Sequence, residues 1–231
     1  MKSRLIFICF SVLGALLVLV AMPWQAAAGY PATPSAGKLA TGDWPMYGHD
    51  YQHTSYNPDE SIIGAGNVTQ LTPRWRVNIG TNGTMSASSA PSVANGMVYV
   101  GSSVASGDNF FGINAISGVQ VWTASLGYNP NPGCLRVGLG STAAISGTVI
   151  SVGGGDSAYY GLNADTGQQL WRDPMDLGPS AFAWESPILV HGRAYLGMSA
   201  NCDNPSVRGE VRAVDMLTGA RIQSQYFVPE G

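Results

Sequence analysis

Three stretches of the chain repeat one pattern of apolar positions: a short apolar segment, a turn, and a second segment in which apolar residues alternate with small or polar ones. They read APSVANGMVYVGS, STAAISGTVISVGG and SPILVHGRAYLGMS, and each turn contains a glycine, namely Gly96, Gly147 and Gly192. Alternation with a period of two is typical of half-buried strands, and glycine supplies the positive φ that a short turn requires. The pattern therefore predicts three β-hairpins.

A second phrase follows each hairpin and keeps the same spacing. It reads INAISG, LNADTG and VRAVDMLTG, and it ends at Gly118, Gly167 and Gly219, which are 49 and 52 residues apart. A repeat of about 50 residues with room for four short strands is typical of a β-propeller blade. We therefore predict an all-β propeller with three blades, at residues 85–127, 136–178 and 185–228.

Two tryptophans mark the beginning of the last strand of a repeat. Trp122 and Trp171 each follow the second-phrase glycine by four residues, whereas Gln223 holds that place in the third repeat. An indole ring there can pack against the neighbouring blade. The segment LTPRWRVNIG, residues 71–80, resembles the strand around Trp122 but has no blade before it. We therefore predict that it is a closing strand and that the chain forms an incomplete ring.

The composition supports the same fold class. Of the 231 residues, 45% are hydrophobic and 11% are charged, and the charged share is well below the roughly 25% usual in soluble domains. The chain also contains 30 Gly and 14 Pro, so turns must be frequent. This mixture favours an all-β chain over a helical or a disordered one.

The first residues differ from all that follow. A basic start, MKSR, precedes an unbroken apolar run from Leu5 to Met22, and AAAG then offers a cleavage site after Ala28. This pattern predicts a signal peptide at residues 1–28 and export to the periplasm or the extracellular space. An uncleaved anchor is the alternative, because about 18 apolar residues can just span a bilayer. We assign residues 29–42 to a linker and residues 43–231 to a partial propeller domain.

The charge balance excludes one class of partner. Cleavage after Ala28 removes two of the 11 basic residues and no acidic one, which leaves nine against 14 and a formal charge of −5. The remaining basic residues form no block, so we expect no nucleic-acid partner. We also expect no membrane contact after cleavage.

Two cysteines remain beyond the signal peptide, and both lie in loop-like sequence. Cys134 ends NPNPGC and Cys202 lies in NCDNP. An even pair in an oxidising compartment predicts a disulfide between them, and two free thiols are the alternative.

The repeat as a whole resembles that of pyrroloquinoline-quinone (PQQ) type propellers, whose full ring normally has eight blades. The opening DWPMYGHDYQHTSYNP, followed by NVTQLTPRWRV, resembles their N-terminal segment, particularly in the polyvinyl-alcohol-dehydrogenase-like branch. The resemblance runs from Asp43 to the C-terminus. It implies a propeller fold more specifically than any activity, because the repeated residues serve blade packing.

The resemblance implies two different functions, and both stay open. One is an exported alcohol dehydrogenase that carries PQQ and Ca²⁺, oxidises a small-molecule or polymer alcohol and passes electrons to an acceptor protein. The other is a cofactor-free propeller that acts as a binding or assembly scaffold. The adjacent Cys-Cys pair of many quinoprotein alcohol dehydrogenases is absent, and so is a C-x-x-C-H haem-attachment sequence.

Glu185, in FAWESPILVHG, is the candidate metal ligand. Counting back seven residues from the hairpin glycines gives Ser89, Gly140 and Glu185, so only the third repeat carries an acid at this position. An unpaired carboxylate is costly to bury, and Ca²⁺ prefers several oxygen ligands. The alternative is a solvated glutamate or one paired with Arg136 or Arg193. Catalytic and PQQ-binding residues are not assigned from the sequence.

Two further motifs have structural interpretations. HDYQH places His49 and His53 four residues apart, but the neighbouring Pro and Gly residues argue against a helix, so a packed N-terminal arm is favoured over a metal site. VGGGDS is rich in glycine but lies between two strands, so it predicts a blade turn rather than a phosphate-binding loop.

Overall fold

The structure, a computed structural model, describes residues 40, 42–80, 89–129, 131, 134, 137–175 and 177–228. The predicted signal peptide and nearly all of the predicted linker lie outside these residues. The described part contains no helix that is long and apolar enough to cross a membrane.

The described residues form three antiparallel sheets that follow one another along the chain. A short 3-10 helix at Val68–Gln70 precedes them. The first sheet contains β1 (Ser92–Ala94), β2 (Met97–Gly101), β3 (Phe110–Asn114) and β4 (Gln120–Ala124). The second contains β5 (Ala144–Ser146), β6 (Val149–Gly153), β7 (Ala158–Asn163) and β8 (Gln169–Pro174). The third contains β9 (Ala181–Phe182), β10 (Ile188–Val190), β11 (Arg193–Ala200), β12 (Glu210–Asp215) and β13 (Arg221–Tyr226).

Each sheet has the strand order of a propeller blade. Four consecutive strands pair in chain order, and the two-residue β9 adds to the end of β11. The four strands of each sheet that pair in chain order fall within the stretch that the repeat spacing predicts for that blade, whereas β9 lies between the second and third stretches. The prediction of an all-β propeller with about three blades is therefore confirmed.

The hairpins formed by the first two strands of each blade, β1–β2, β5–β6 and β10–β11, do not all use the same turn. In the β1–β2 turn, Asn95 and Gly96 both have positive φ, at 55° and 74°. In the β5–β6 turn the positive φ falls on Gly147, at 60°, which is the first of the two loop residues. Both arrangements match the right-handed twist of the strands. The glycine of the second hairpin is therefore one residue out of register with those of the other two.

The same type of contact, made by a tryptophan, recurs between each blade and the next. The indole Nε1 of Trp122 donates to the carbonyl of Ala164 at 2.9 Å, and its ring lies on Gly167. Trp171 donates in the same way to Met216. A Cβ on Gly167 would lie 2.5 Å from the ring. The packing predicted for the two tryptophans is thus confirmed, and a glycine is required beneath each ring.

The segment 71–80 differs from its prediction in one respect. It pairs with no strand in the part of the chain that the structure describes. Trp75 nevertheless donates to the carbonyl of Ala115 at 3.0 Å, as Trp122 does to Ala164. Val77 and Ile79 pack against the apolar outer face of the first sheet. The segment therefore takes the place on the first sheet that β4 takes on the second, without a ladder of its own.

The last strand of the third sheet lacks the tryptophan contact. Gln223 lies opposite Ala213, whereas Trp122 lies opposite Gly112. A Cβ on Gly112 would overlap the indole of Trp122, so the tryptophan needs a glycine as its cross-strand partner. Where the tryptophan is replaced, the glycine is replaced as well. All of β13 is exposed.

An N-terminal arm, residues 42–63, begins along the inner edges of the sheets. Trp44 exchanges two backbone hydrogen bonds with Val93 of β1, at 2.7 and 2.8 Å. The carbonyl of Pro45 then accepts from Ile145 of β5 at 2.8 Å. Met46 is buried in the apolar cluster that the second and third sheets share. The arm thus bonds to the first two blades and adds Met46 to the apolar core between the second and third.

Candidate functional site

The two ends of the sheets carry different kinds of connection. Because the strands alternate in direction, the tight turns β1–β2 and β3–β4 lie at one end, together with their counterparts in the other sheets. The β2–β3, β6–β7 and β11–β12 loops lie at the other, with the long connections from sheet to sheet. We call this second end the loop end. The predicted metal ligand and both cysteines of the predicted disulfide lie there.

Strand pairing identifies the true counterparts of Glu185. Ile188 pairs with Tyr195 as Ala144 pairs with Ser151 and as Ser92 pairs with Tyr99. The residues three positions before these strand residues are therefore equivalent; they are Glu185, Ser141 and Ser89. Counting from the glycines gave Gly140 for the second blade, which is wrong by one residue because Gly147 takes the first position of its turn.

In the first two blades a serine occupies this position, and its hydroxyl is hydrogen-bonded to the backbone of the facing glycine. Ser89 Oγ accepts from the backbone N–H of Gly101 at 3.0 Å and donates to the carbonyl of the same residue at 3.2 Å. Ser141 Oγ accepts from Gly153 N–H at 3.1 Å. Both serines are buried. Where serine occupies this position, the side chain is therefore small and buried, and its hydroxyl has a hydrogen-bond partner.

Glu185 places a carboxylate where the other blades place a hydroxyl. Its carboxylate lies directly on Gly197, the counterpart of Gly101 and Gly153, and a Cβ on Gly197 would overlap Oε2. The residue as a whole is exposed. The third blade therefore directs an accessible negative charge from the beginning of its innermost strand at the loop end.

A buried tyrosine lies beside this carboxylate. The hydroxyl of Tyr159, on β7, donates to the carbonyl of Gly197. Burial first, and then the negative charge of Glu185, raise the pKa of Tyr159 far above its usual value. Tyr159 therefore remains a neutral donor at any physiological pH, and it fixes the strand on which the carboxylate lies.

The described residues do not complete a metal site around Glu185. Among them, no group of three or more His, Cys, Asp or Glu side chains could hold a metal ion. Arg136 lies outside the described residues. Arg193 begins β11 at its opposite end, four residues before Gly197. Glu185 thus remains a predicted ligand that offers one carboxylate, and further ligands would come from residues that the structure does not describe.

A disulfide and an asparagine network tie the loops together at this end. Cys134 and Cys202 are bonded, with their Cα atoms 5.4 Å apart and a separation of 68 positions in sequence. The bond joins the connection between the first two sheets to the β11–β12 loop. Nearby, the Asn131 side chain donates to Ser180 Oγ and to the carbonyl of Asn204, both at 2.9 Å. These contacts hold three separate connections in one arrangement.

A charged cluster that the sequence did not reveal lies between the second and third sheets. Arg212 donates to Asp173 at 2.8 Å and to Glu210 at 2.9 Å, and both Arg212 and Glu210 are almost fully buried. Burial would lower the pKa of Arg212, but the hydrogen bonds to the two carboxylates outweigh it and raise the pKa. Because each charge has a partner, the cluster joins two blades and carries no evident chemistry.

The two remaining motifs have the structural roles expected from the sequence. His49 packs edge-on against Trp44, with ring centroids 5.0 Å apart, and His53 packs in the same way against Tyr47 at 5.6 Å. VGGGDS ends β6 and forms the β6–β7 loop. A Cβ on Gly155 would lie 2.6 Å from two backbone carbonyl oxygens, so the glycine permits close packing of the loop.

The loop end also carries an exposed tryptophan that the repeat pattern does not indicate. Trp184 precedes Glu185 and is 44% exposed. Its Nε1 donates to the carbonyl of Ala200 at 3.1 Å, and its ring contacts that of Phe182, with centroids 4.5 Å apart. Trp184 lies outside the repeat pattern, which explains why the periodicity gave no signal for it.

Comparison with known proteins relates this fold to one family and to several enzymes. The PQQ_2 family model, described as outer membrane protein assembly factor BamB, matches residues 65–182. A quinoprotein ethanol dehydrogenase of Pseudomonas aeruginosa is 30% identical over 195 residues, which cover 81% of this chain and 30% of that protein. Methanol dehydrogenase (cytochrome c) subunit 1 of Methylorubrum extorquens is 26% identical, over 92% of this chain and 35% of that protein.

A solved structure shows the same relationship. The quinohemoprotein alcohol dehydrogenase from Comamonas testosteroni superposes with a TM-score of 0.67 and 27% identity, over 82% of this chain and 28% of that one. The chain therefore spans about a third of the length of the relatives that it matches.

Proposed function

Because the chain belongs to the PQQ-repeat β-propeller family, we propose that the protein which contains it is a PQQ- and Ca²⁺-dependent alcohol dehydrogenase. The family expectation drawn from the repeat is confirmed by the matches, whereas the polyvinyl-alcohol branch stays a prediction. Support comes from relatives named for ethanol and methanol, each of which matches more than four fifths of this chain.

The observation that carries the proposal is the carboxylate of Glu185. In the first two blades a serine at this position is hydrogen-bonded to the backbone of the facing glycine. In the third described blade an accessible glutamate replaces the serine. Such an exchange brings no benefit to blade packing. It does provide an oxygen ligand of the kind that Ca²⁺ prefers. In this proposal Glu185 supplies one ligand to the ion, and the protein supplies the others from outside the described residues.

The surrounding residues act by holding this ligand in place. PQQ, when bound, supplies the redox chemistry of alcohol oxidation. Tyr159 remains a neutral donor and fixes the carbonyl of Gly197, beneath the carboxylate. The disulfide and the Asn131 network keep the loops around it in one arrangement. A site built on supported strands positions its ligands better than one built on free loops.

The proposal also covers location and partners. The apolar N-terminal run motivates export to the periplasm or the extracellular space, with 1–28 as the signal peptide, 29–42 as the linker and 43–231 as the propeller portion. A small-molecule or polymer alcohol would be the substrate, and an electron-acceptor protein would reoxidise the cofactor. No nucleic-acid partner is proposed.

A binding or assembly scaffold is the second candidate function. The observation in its favour is the description of the matching family, which names an assembly factor. A scaffold needs no cofactor and no accessible acid at position 185. The two candidates therefore differ in their response to PQQ and Ca²⁺.

The decisive experiment measures dye-linked alcohol oxidation and thermal unfolding of the full protein with and without PQQ and Ca²⁺. A dehydrogenase is expected to be active and to unfold at a higher temperature when both are present. Absence of activity, together with an unchanged unfolding temperature, would contradict the dehydrogenase and favour the scaffold alternative.

The role of Glu185 is tested by a variant that the chain itself suggests. Glu185→Ser installs the residue of the other two blades, so the closed hydrogen bond to the facing glycine can form and the fold should be preserved. Activity and Ca²⁺-dependent thermal protection are expected to fall, and Glu185→Gln should behave alike. Glu60→Gln, on an exposed carboxylate of the N-terminal arm, is the matched control. Unchanged Ca²⁺ dependence in both Glu185 variants would exclude the residue as a ligand.

A further inference from the structure

Trp184 is a rigid aromatic surface beside the carboxylate of Glu185. Although 44% of the residue is exposed, the ring is held at its Nε1 by Ala200 and on one side by the fully buried Phe182. An exposed indole that is already fixed loses little conformational entropy when a ligand contacts it. The ring is thus prepared for contact with an apolar group.

The second blade leaves room for this ring. Gly140 is the counterpart of Trp184 in the second blade, because both precede the equivalent residues Ser141 and Glu185. The indole lies over Gly140, where a Cβ would approach its Cε3 to 3.1 Å. The same position therefore carries no side chain in one blade and the largest side chain in the next, and the two fit together.

The ring and the carboxylate are attached to the same strand at two different points. Trp184 is held at Ala200 and the carboxylate of Glu185 lies on Gly197, three residues apart on β11. A strand rises by about 3.3 Å per residue, so the two points of attachment are separated by about 10 Å. A molecule with its hydroxyl near Glu185 can extend its carbon skeleton towards the indole.

We propose that Trp184 is a specificity-determining residue that binds the carbon skeleton of the substrate and favours alcohols with an aromatic group over methanol. This inference rests on the proposed function. Aromatic rings interact with each other in offset or edge-to-face arrangements beyond the effect of buried area, and methanol has no group that could make this contact. Trp184 acts on the choice of substrate, while Glu185 acts on the ion.

The kinetic test compares kcat/KM for benzyl alcohol and methanol in the loaded full protein. In Trp184→Ala the ratio of the two values is expected to fall about tenfold, because an apolar contact of this size discriminates to that extent. In Trp184→Phe, which keeps an aromatic face, most of the ratio should remain. Phe227→Ala, which removes an aromatic side chain from a residue that is 70% exposed, is the control and should leave it unchanged. An unchanged ratio in Trp184→Ala would overturn the inference.

A binding test separates this inference from the proposed function. The full protein without cofactor is labelled with 5-fluorotryptophan, and the ¹⁹F resonance of Trp184 is assigned from its absence in Trp184→Phe. Benzyl alcohol should shift this resonance saturably, and methanol at equal concentration should not. No saturable shift in the wild type overturns the inference. A saturable shift without turnover of any alcohol supports the binding site and instead contradicts the dehydrogenase.

Discussion

Trp122 reaches across to the next blade and donates its indole N–H to the carbonyl of Ala164 at 2.9 Å. Its ring rests on Gly167, whose φ is 71°. Trp75 and Trp171 make the same pair of contacts with the blades that follow them. One residue type thus provides both the hydrogen bond and the apolar contact between successive sheets.

The first prediction separates the two reasons for a glycine beneath the ring. Gly167→Ala adds a methyl group against the indole of Trp122 and also strains a positive φ. Gly96→Ala strains a similar φ of 74°, but a Cβ there would meet nothing within 4 Å. The φ term alone costs roughly 1–2 kcal/mol. In urea denaturation Gly167→Ala should lose more free energy of unfolding than Gly96→Ala, and equal losses would contradict the proposed docking role of the glycine.

The second prediction concerns the charged cluster between the second and third sheets. Arg212→Ala leaves the buried carboxylate of Glu210 without its partner and should lower the free energy of unfolding by about 3–5 kcal/mol. The triple variant Asp173→Ala, Glu210→Ala, Arg212→Tyr introduces the residues that occupy the equivalent positions between the first and second sheets. Those residues are, in the same order, Ala124, Ala158 and Tyr160.

Chemical denaturation of both variants checks this prediction. The triple variant carries three changes and should nevertheless be more stable than Arg212→Ala, because it leaves no buried charge unpaired. If the single variant is the more stable of the two, the cluster is not a compensated unit.

The third prediction concerns alkaline pH. Burial raises the pKa of Tyr99 to about 12, and burial likewise raises the pKa of Tyr160 to about 12. An unfolded tyrosine ionises near pH 10. Between these values the folded chain holds protons that the unfolded chain has lost, so stability is full below pH 10 and declines as the pH rises towards 12. Unfolding measured from pH 8 to 12 should show this decline.

Tyr99 offers a specific variant for the same test. Its hydroxyl is buried and has no hydrogen-bond partner among the residues that the structure describes. Tyr99→Phe removes that unsatisfied group and should stabilise the protein by about 1 kcal/mol at neutral pH. It should also weaken the alkaline decline. Tyr159→Phe is the contrasting variant, because it loses the hydrogen bond to Gly197 and should destabilise.

The fourth prediction concerns the disulfide. The denatured, unreduced protein should contain no titratable thiol at Cys134 and Cys202. Closing a loop across 68 residues contributes about 4 kcal/mol in the chain-entropy model. Replacing both cysteines with serine should therefore lower the free energy of unfolding by an amount of that order, and reductant should have no further effect on the variant. Two free thiols in the wild type would contradict the bond.

The fold could be predicted from the sequence because every blade repeats the same local requirements. Glycine is needed at Gly118 and Gly167 because each adopts a positive φ in a turn and lies against an indole ring. The spacing of these glycines in sequence therefore gives the length of a blade. The position of Glu185 was harder to place, because Gly147 takes a different place in its turn. Only the pairing of β5 with β6 shows that Ser141 is the counterpart.

The contacts between blades could not be predicted in the same way. Arg212 and Asp173 are 39 residues apart, and neither belongs to the repeated phrases. In the sequence, Trp184 cannot be distinguished from a buried apolar residue of a strand. Its exposure depends on the path of the connection between β9 and β10. Such features arise where the repeat is interrupted, and they are recognised only once the sheets are in place.

The N-terminal arm also bears on the order in which the chain folds. Trp44 meets β1 after 49 residues and Pro45 meets β5 after 100, and Met46 is buried in the apolar cluster that the second and third sheets share. The arm is synthesised before any of these strands, yet its binding surface exists only when the sheets that it contacts have formed. Contacts so distant in sequence close late and slow the reaction. Docking of the arm should therefore come late in refolding, and the fluorescence of Trp44, which is half-buried beside β1, would change only after the first sheet has formed.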